Sequence, residues 1–308
     1  MAFTAKDVMK LREKTGCGMM DCKKALTEAD GDMDKAIDVL REQGLAKVAK
    51  KASRIAAEGV AFACTNEDAT KGVALEVNAE TDFVAKNADF QAFVKTVADT
   101  VMNENPADVA DLLTKTAVGT TMTVAELLQE KIQTIGENIV IRRFKLYEGA
   151  VSAYIHAGGK IAVLVKFDTD AAAADGFAAY AKDVAMQVAA VNPSYLKKED
   201  VPAEVLDHEK EIMIAQMKQD EKMANKPDQV IEKIVMGKIG KYYEENCLLN
   251  QAFIKENKIS VEQYTKQTAK ELGGKIEIVE FVRFEKGEGL EKRSDDFAAE
   301  VASLAGTN

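Results

Sequence analysis

The chain has no tryptophan, two histidines, four cysteines and four prolines among its 308 residues, and each shortage narrows the chemistry it can carry. With only His156 and His208, a Ser or Cys nucleophile has at most two imidazoles to draw on as its base. Cys17, Cys22, Cys64 and Cys247 form no C-x-x-C pair, so a zinc site is not indicated and the thiols read as reduced and partly buried. There is no G-x-x-x-x-G-K-[ST], no G-x-G-x-x-G opening a helix, no G-x-S-x-G and no H-E-x-x-H. No stretch approaches the roughly 18 uninterrupted apolar residues of a membrane span. The opening MAFTAKDVMK lacks an apolar signal core, so the expectation is a soluble, cytoplasmic protein without a transit peptide. Positive charge is also in deficit: 41 Lys plus Arg face 51 Asp plus Glu, a net −10, which does not suit displacement of counterions from DNA or RNA. These absences favour a binding protein over an enzyme, with no zinc site and no nucleic acid as its primary partner.

What is present is ordinary globular material, 47% hydrophobic and 30% charged, enough for about two or three units. Residues 1–55 read as a compact helical module. Thr4 can cap a first helix, Gly16 and Gly18 break it, Met19 to Ala29 resumes, and Asp30-Gly31-Asp32 turns into Met33 to Gln43 with Gly44 as its stop. Val8, Leu11, Met20, Leu26, Ile37 and Leu40 form the expected core. The basic run Lys47, Lys50, Lys51 and Arg54 reads as a solvated linker helix in preference to an anion contact. Residues 1–54 carry 12 basic and 9 acidic side chains, so the acidity lies in the remainder.

Beyond the linker the pattern is α+β. Gly59 to Thr65 and Gly72 to Asn78 predict a hairpin, followed by helices near 87–102, 106–115 and 123–135 and a strand from Ile139 to Phe144. The order then recurs: Val151 to Ala157 and Lys160 to Phe167 form a second hairpin around Gly158-Gly159, a helical stretch covers Ala173 to Val191, and a strand runs from Ile276 to Phe284. Arg143-Phe144 ahead of Glu148-Gly149 matches Arg283-Phe284 ahead of Glu288-Gly289, which suggests an internal duplication. Val60 and Val151 in the two hairpins lie 91 residues apart and Arg143 and Arg283 in the closing strands 140, leaving about 49 extra residues in the second unit. Residues 204–246 supply them, as a helix from Pro202 to Ala224, a turn at Asn225-Lys226-Pro227 and a second helix from Asp228 to Asn246. Val205, Ile212, Met213 and Met217 on one arm, with Ile231, Ile234, Val235, Ile239 and Tyr242 on the other, predict a coiled-coil hairpin.

Two places invite a functional reading. In Glu76-Val77-Asn78-Ala79-Glu80-Thr81-Asp82-Phe83-Val84-Ala85-Lys86-Asn87, Thr81 or Asp82 can cap a helix and Phe83 can fold inward as core; alternatively Asp82-Phe83 forms a protruding acidic and aromatic tip that fits a partner's groove. His156, before Ala157-Gly158-Gly159-Lys160, sits at a hairpin turn with no nucleophile or orienting carboxylate indicated, so a turn with a surface contact is preferred to a catalytic base. His208 reads as a solvated helix residue.

Leu11 to Leu26 (LREKTGCGMMDCKKAL) resembles the N-terminal signature of the elongation factor Ts family, and Glu76 to Lys86 resembles its second signature. Gly136-Glu137-Asn138-Ile139 with Arg142-Arg143, and Tyr154-Ile155-His156-Ala157-Gly158-Gly159-Lys160-Ile161, are similar to further family patterns. The likeness runs from about residue 4 to 305, with Ala79 and Ala162 where the family often has Cys and Gly. It implies a guanine-nucleotide exchange factor for the GTPase elongation factor Tu, without catalytic chemistry or cofactor of its own. The implied layout is a UBA-like module and linker (1–55), a core whose first half is 56–148 and whose second is 149–203 with 247–290, a coiled-coil hairpin (204–246) and a C-terminal helix (291–308). By resemblance, Asp82 and Phe83, supported by Thr81 and Val84, enter the magnesium side of the GTPase's nucleotide site. Arg12, Met19 and Met20 match a contact of the N-terminal module and His156 a second contact of the core. The hairpin matches a contact with a more distant domain or a self-association surface, as in a homodimer or a heterotetramer with the GTPase.

Overall fold

A computed structural model describes residues 3–15, 17–219 and 227–291. Gly16, Met223, the Asn225-Lys226 turn and, apart from Glu291, the expected C-terminal helix lie outside them. Among the described residues no helix is long and apolar enough to cross a membrane, and no cluster of His, Cys, Asp and Glu could hold a metal ion.

The chain opens with α1 (Ala5–Thr15), α2 (Met19–Glu28) and α3 (Met33–Lys51), packed around Leu11, Cys22, Ala25, Leu26 and Ala36. Asp32 caps α3 by accepting from the Asp34 and Lys35 N–H groups. Two expectations are corrected here. Cys22 is fully buried while Met20 is 63% exposed, since helical residues two apart lie about 200° around the axis and only one of the pair can face α1. Gly44 does not stop α3, which runs on to Lys51: it faces α7 (Val124–Ile135), where a Cβ would lie 1.7 Å from the Gln133 amide nitrogen. The glycine serves close approach.

Two antiparallel three-stranded sheets form the centre. β1 (Glu58–Thr65), β2 (Lys71–Ala79) and β3 (Ile139–Glu148) make the first, in the order β1-β2-β3. β4 (Ala150–His156), β5 (Ile161–Thr169) and β8 (Ile276–Glu285) make the second in the matching order. Alternation sorts their side chains. Val73, Leu75, Val77 and Ala79 face α5 (Ala88–Glu104), α6 (Val109–Thr114) and α7, whereas Ala61, Ala63 and Ala74 meet Ala162, Leu164 and Phe284 of the other sheet. At Gly72 a Cβ would lie 2.7 Å from Leu164, so small residues set how closely the sheets approach. The second sheet's outer face packs on α8 (Phe177–Val191) and on α11 (Val261–Glu271), which follows a short hairpin of β6 (Ala252–Phe253) and β7 (Glu256–Ser260). The architecture is α+β, and α8 starts at Phe177, after a turn that occupies the beginning of the expected helix.

The third strand of each sheet carries a bulge. Arg142 is the unpaired residue between Ile141 and Arg143, and Val279 is the unpaired residue between Ile278 and Glu280. Aligned on the bulges, Phe144 corresponds to Phe281, three residues before Phe284, and Tyr147 corresponds to Phe284. The packing agrees: Phe144 and Phe281 lie against the helical layers, Tyr147 and Phe284 between the sheets. The Arg-Phe coincidence therefore misaligned a repeat that the strand order and register support.

α9 (Ala203–Gln219) and α10 (Asp228–Asn246) pack on each other through Leu206, Met213, Ile214, Met217, Ile231, Val235, Ile239 and Tyr243. Ile212 is 37% exposed and Ile214 takes its place, while Tyr243 replaces Tyr242 at the seam. The chain leaves and re-enters the core at adjoining points, where Tyr195 bridges to Cys247.

Candidate functional site

β2 ends at Ala79, and the next eight residues turn the chain into the first helical layer. Thr81 caps the four-residue α4 (Asp82–Ala85), its Oγ1 accepting from the Val84 N–H at 3.4 Å, and Asn87 then caps α5. Between the caps the side chains divide. Val84 is buried in the first core, while Phe83 is 79% exposed, the most exposed of the large apolar side chains among the described residues. That excludes the inward placement of Phe83. Asp82 is exposed and pairs with Lys86 at 2.8 Å; the hydrogen bond from Lys86, then its charge, holds the carboxyl below the usual range, so it is ionised at neutral pH.

The base of this tip is held by a reciprocal pair of contacts. Glu137 accepts from the Thr81 N–H at 3.0 Å and from its hydroxyl at 2.6 Å, and Glu80 accepts from the Asn138 N–H at 2.6 Å. The Asn138 amide donates to the Arg54 carbonyl at 2.8 Å, and the Arg54 guanidinium reaches Glu80 at 3.4 Å. Sequence reasoning did not find this arrangement. Its signal is the pairing of Ala79 with Ile139, which sets Glu80 and Asn138 side by side, but that pairing joins segments about 60 residues apart.

Below the tip, the fully buried Glu76 accepts from Arg142 at 3.0 Å, from Arg143 Nε at 2.6 Å and from the Gly287 N–H at 2.8 Å. Arg143 also lies 4.4 Å over the Phe284 ring. Lys286 ion-pairs with Glu58, contributes to the lowered Asp82 carboxyl, and donates its N–H to the Lys160 carbonyl at 2.9 Å. Lys160 closes the turn after His156, and that turn is fastened to β1 by the Ala61 N–H donating to the Gly159 carbonyl at 2.8 Å. Lys286 therefore ties Glu58, at the start of β1, to the His156 turn. His156 itself is exposed, and its Nδ1 lies 3.1 Å from the Tyr154 hydroxyl, which offers neither the nucleophile nor the carboxylate of a catalytic base. Arg12, Met19 and Met20 are exposed on the α1–α2 unit, whose link to the core runs through α3 and α7. His208 is exposed on α9.

Comparison with known proteins decides which family this surface belongs to. The model of the family described as Elongation factor TS matches residues 80–288. Elongation factor Ts of Trichlorobacter lovleyi is 49% identical over 99% of both chains, and those of Syntrophotalea carbinolica and Clostridium perfringens are 48% identical over 99% of both. The chain belongs to the elongation factor Ts family. Elongation factor Ts proteins promote guanine-nucleotide exchange on elongation factor Tu, and membership makes this protein an exchange factor for that GTPase without catalytic chemistry of its own. Ala79 and Ala162 are both fully buried in strands.

Proposed function

We propose that Thr81-Asp82-Phe83-Val84 is a wedge that drives GDP off elongation factor Tu by disturbing its magnesium and phosphate site. Phe83 carries the reading: an aromatic ring 79% exposed, on a turn fixed by a buried neighbour and a bidentate carboxylate, has no role in this fold's own core. Burying such a ring in a partner's groove is worth about 1.5–3 kcal/mol. The ionised Asp82 beside it competes with the groups that hold Mg²⁺, and loss of the ion removes charge neutralisation from the phosphates. Because the coupling is reciprocal, the factor speeds equilibration without choosing between GDP and GTP.

Arg12, Met19 and Met20 form a second contact in this reading and the His156 turn a third. Residues 1–55 are the UBA-like module, 56–148 and 149–203 with 247–290 the two core halves, 204–246 a coiled-coil hairpin that contacts a distant domain of the GTPase or a second copy, and the setting is the cytoplasm. Stopped-flow release of fluorescent GDP tests the wedge. Phe83→Ala is expected to slow factor-stimulated release roughly ten- to a hundredfold and Asp82→Ala to slow it as well, with unchanged circular dichroism. Undiminished release by a folded Phe83→Ala variant removes the wedge.

A further inference from the structure

We propose that Glu137 is a positioning residue for exchange: by accepting both hydrogen bonds that Thr81 donates, it fixes the direction in which Phe83 leaves the scaffold. This rests on the wedge reading above.

A four-residue helix cannot hold its own geometry, because nucleation costs more than one turn of hydrogen bonds returns. The internal cap is long, 3.4 Å from Thr81 Oγ1 to the Val84 nitrogen, at the weak end of the hydrogen-bond range. The restraint is external. Glu137 offers both carboxylate oxygens to Thr81 at 2.6 and 3.0 Å, while Val84 anchors the other side in the core. Glu137 is itself placed by Gly136, whose φ of 91° ends α7, and by Ile139, paired with Ala79 as β3 begins. The return bond from the Asn138 N–H to Glu80 locks the two segments against sliding. Both carboxylates sit behind the tip, so Glu137 acts through Thr81. Without it, Phe83 samples directions that do not fit the groove, and the ordering cost falls on the insertion step.

Docking through other surfaces is independent of Glu137, so its loss should appear in the plateau and not in the concentration dependence. The test is stopped-flow release of fluorescent GDP from elongation factor Tu across a titration of the full-length factor. Glu137→Ala is expected to lower the saturating rate about tenfold, the size of one charge-assisted hydrogen bond, with the half-saturating concentration within about twofold. Glu137→Gln keeps a carbonyl for the Thr81 N–H and should recover most of the plateau. Adding Thr81→Ala to Glu137→Ala should cost less than the two single losses combined. A partly unfolded variant has fewer active molecules, so its curve moves to higher concentration with an unchanged plateau; that result for Glu137→Ala overturns the proposal. Phe83→Ala separates the two levels: if it lowers the plateau and neither Glu137 variant does, only the positioning role falls, and if it too leaves the plateau unchanged, the wedge falls and takes the positioning role with it.

Discussion

Phe83 and Val84 are neighbours of similar hydrophobicity with opposite surroundings, and the cause is the cap one residue upstream of the turn. Once Thr81 starts α4, successive side chains rotate by about 100°, so the turn that seats Val84 in the core must direct Phe83 outward. The cysteines show the reverse situation, apolar surroundings acting on a group with a latent charge. Burial pushes the Cys64 thiol from 9.0 up to about 11 and the Cys247 thiol likewise to about 11. At pH 8 each carries about a hundredfold less thiolate than an ordinary cysteine. Iodoacetamide should therefore label the native chain slowly at these two positions and rapidly after unfolding in guanidinium, as read by peptide mass. The same shift has a consequence for stability. A folded pKa above the unfolded one leaves the neutral thiol's contribution intact below about pH 9, and that contribution is lost as the pH rises through about 11. Urea midpoints at pH 8 and pH 10.5 should thus fall more for the wild-type chain than for Cys64→Ala; equal falls would show that Cys64 does not titrate with unfolding.

At the scale of elements, Gly44 lies inside α3, where glycine costs about 1 kcal/mol relative to alanine, and its compensation is contact with α7. Gly44→Ala alone is expected to be near neutral or destabilising, because the added methyl must displace the Gln133 side chain. In a Gln133→Ala background the same change should stabilise by about 1 kcal/mol, measured by urea unfolding; an identical effect in both backgrounds would mean that Gly44 does not set the α3–α7 approach. The sequence reading ended this helix too early because glycine marks a stop and a close approach with the same letter, and only the facing Gln133, about 90 residues away, distinguishes them. Ile212 against Ile214 and Met20 against Cys22 failed for a related reason: apolar spacing identifies a helix, but its rotation is set by the partner. The hairpins were legible, since β1 with β2 and β4 with β5 are local pairs whose alternation is visible. At the site, Asp82-Phe83 was recognisable as unusual, but its direction was undecided and Glu137 was hidden behind a non-local strand pairing.

Across the whole molecule, the two sheets meet where Ala61, Ala63, Ala74 and Gly72 receive Leu164, Tyr147 and Phe284, and a buried ion network adds a directional tie to that apolar packing. Successive strand residues normally point to opposite faces, yet Arg142 and Arg143 both reach Glu76, because the bulge at Arg142 breaks the alternation at that point. The same carboxylate takes the Gly287 N–H, and the arginines continue to Glu288, so Glu76 on β2 is tied to the end of β8. A second ion pair, Lys145 with Glu280 at 3.2 Å, also crosses from β3 to β8, but both side chains are about half exposed. The physics of the two should differ. Removing Glu76 takes an acceptor from two guanidiniums, the Asn78 amide and the Gly287 N–H and leaves the paired positive charges without their buried carboxylate, so Glu76→Ala is expected to cost about 3–5 kcal/mol. Water replaces the lost partner at the surface, and Lys145→Ala leaves the Glu280 contact with the buried Tyr147 hydroxyl in place, so Lys145→Ala should cost about 1 kcal/mol or less. Urea unfolding of both variants with unchanged m-values makes the comparison, and added salt should weaken only the Lys145–Glu280 contribution. Equal, small effects would place the orientation of the sheets, and with it the spacing of the Phe83 tip from the His156 turn, under the control of the apolar packing between them instead of Glu76.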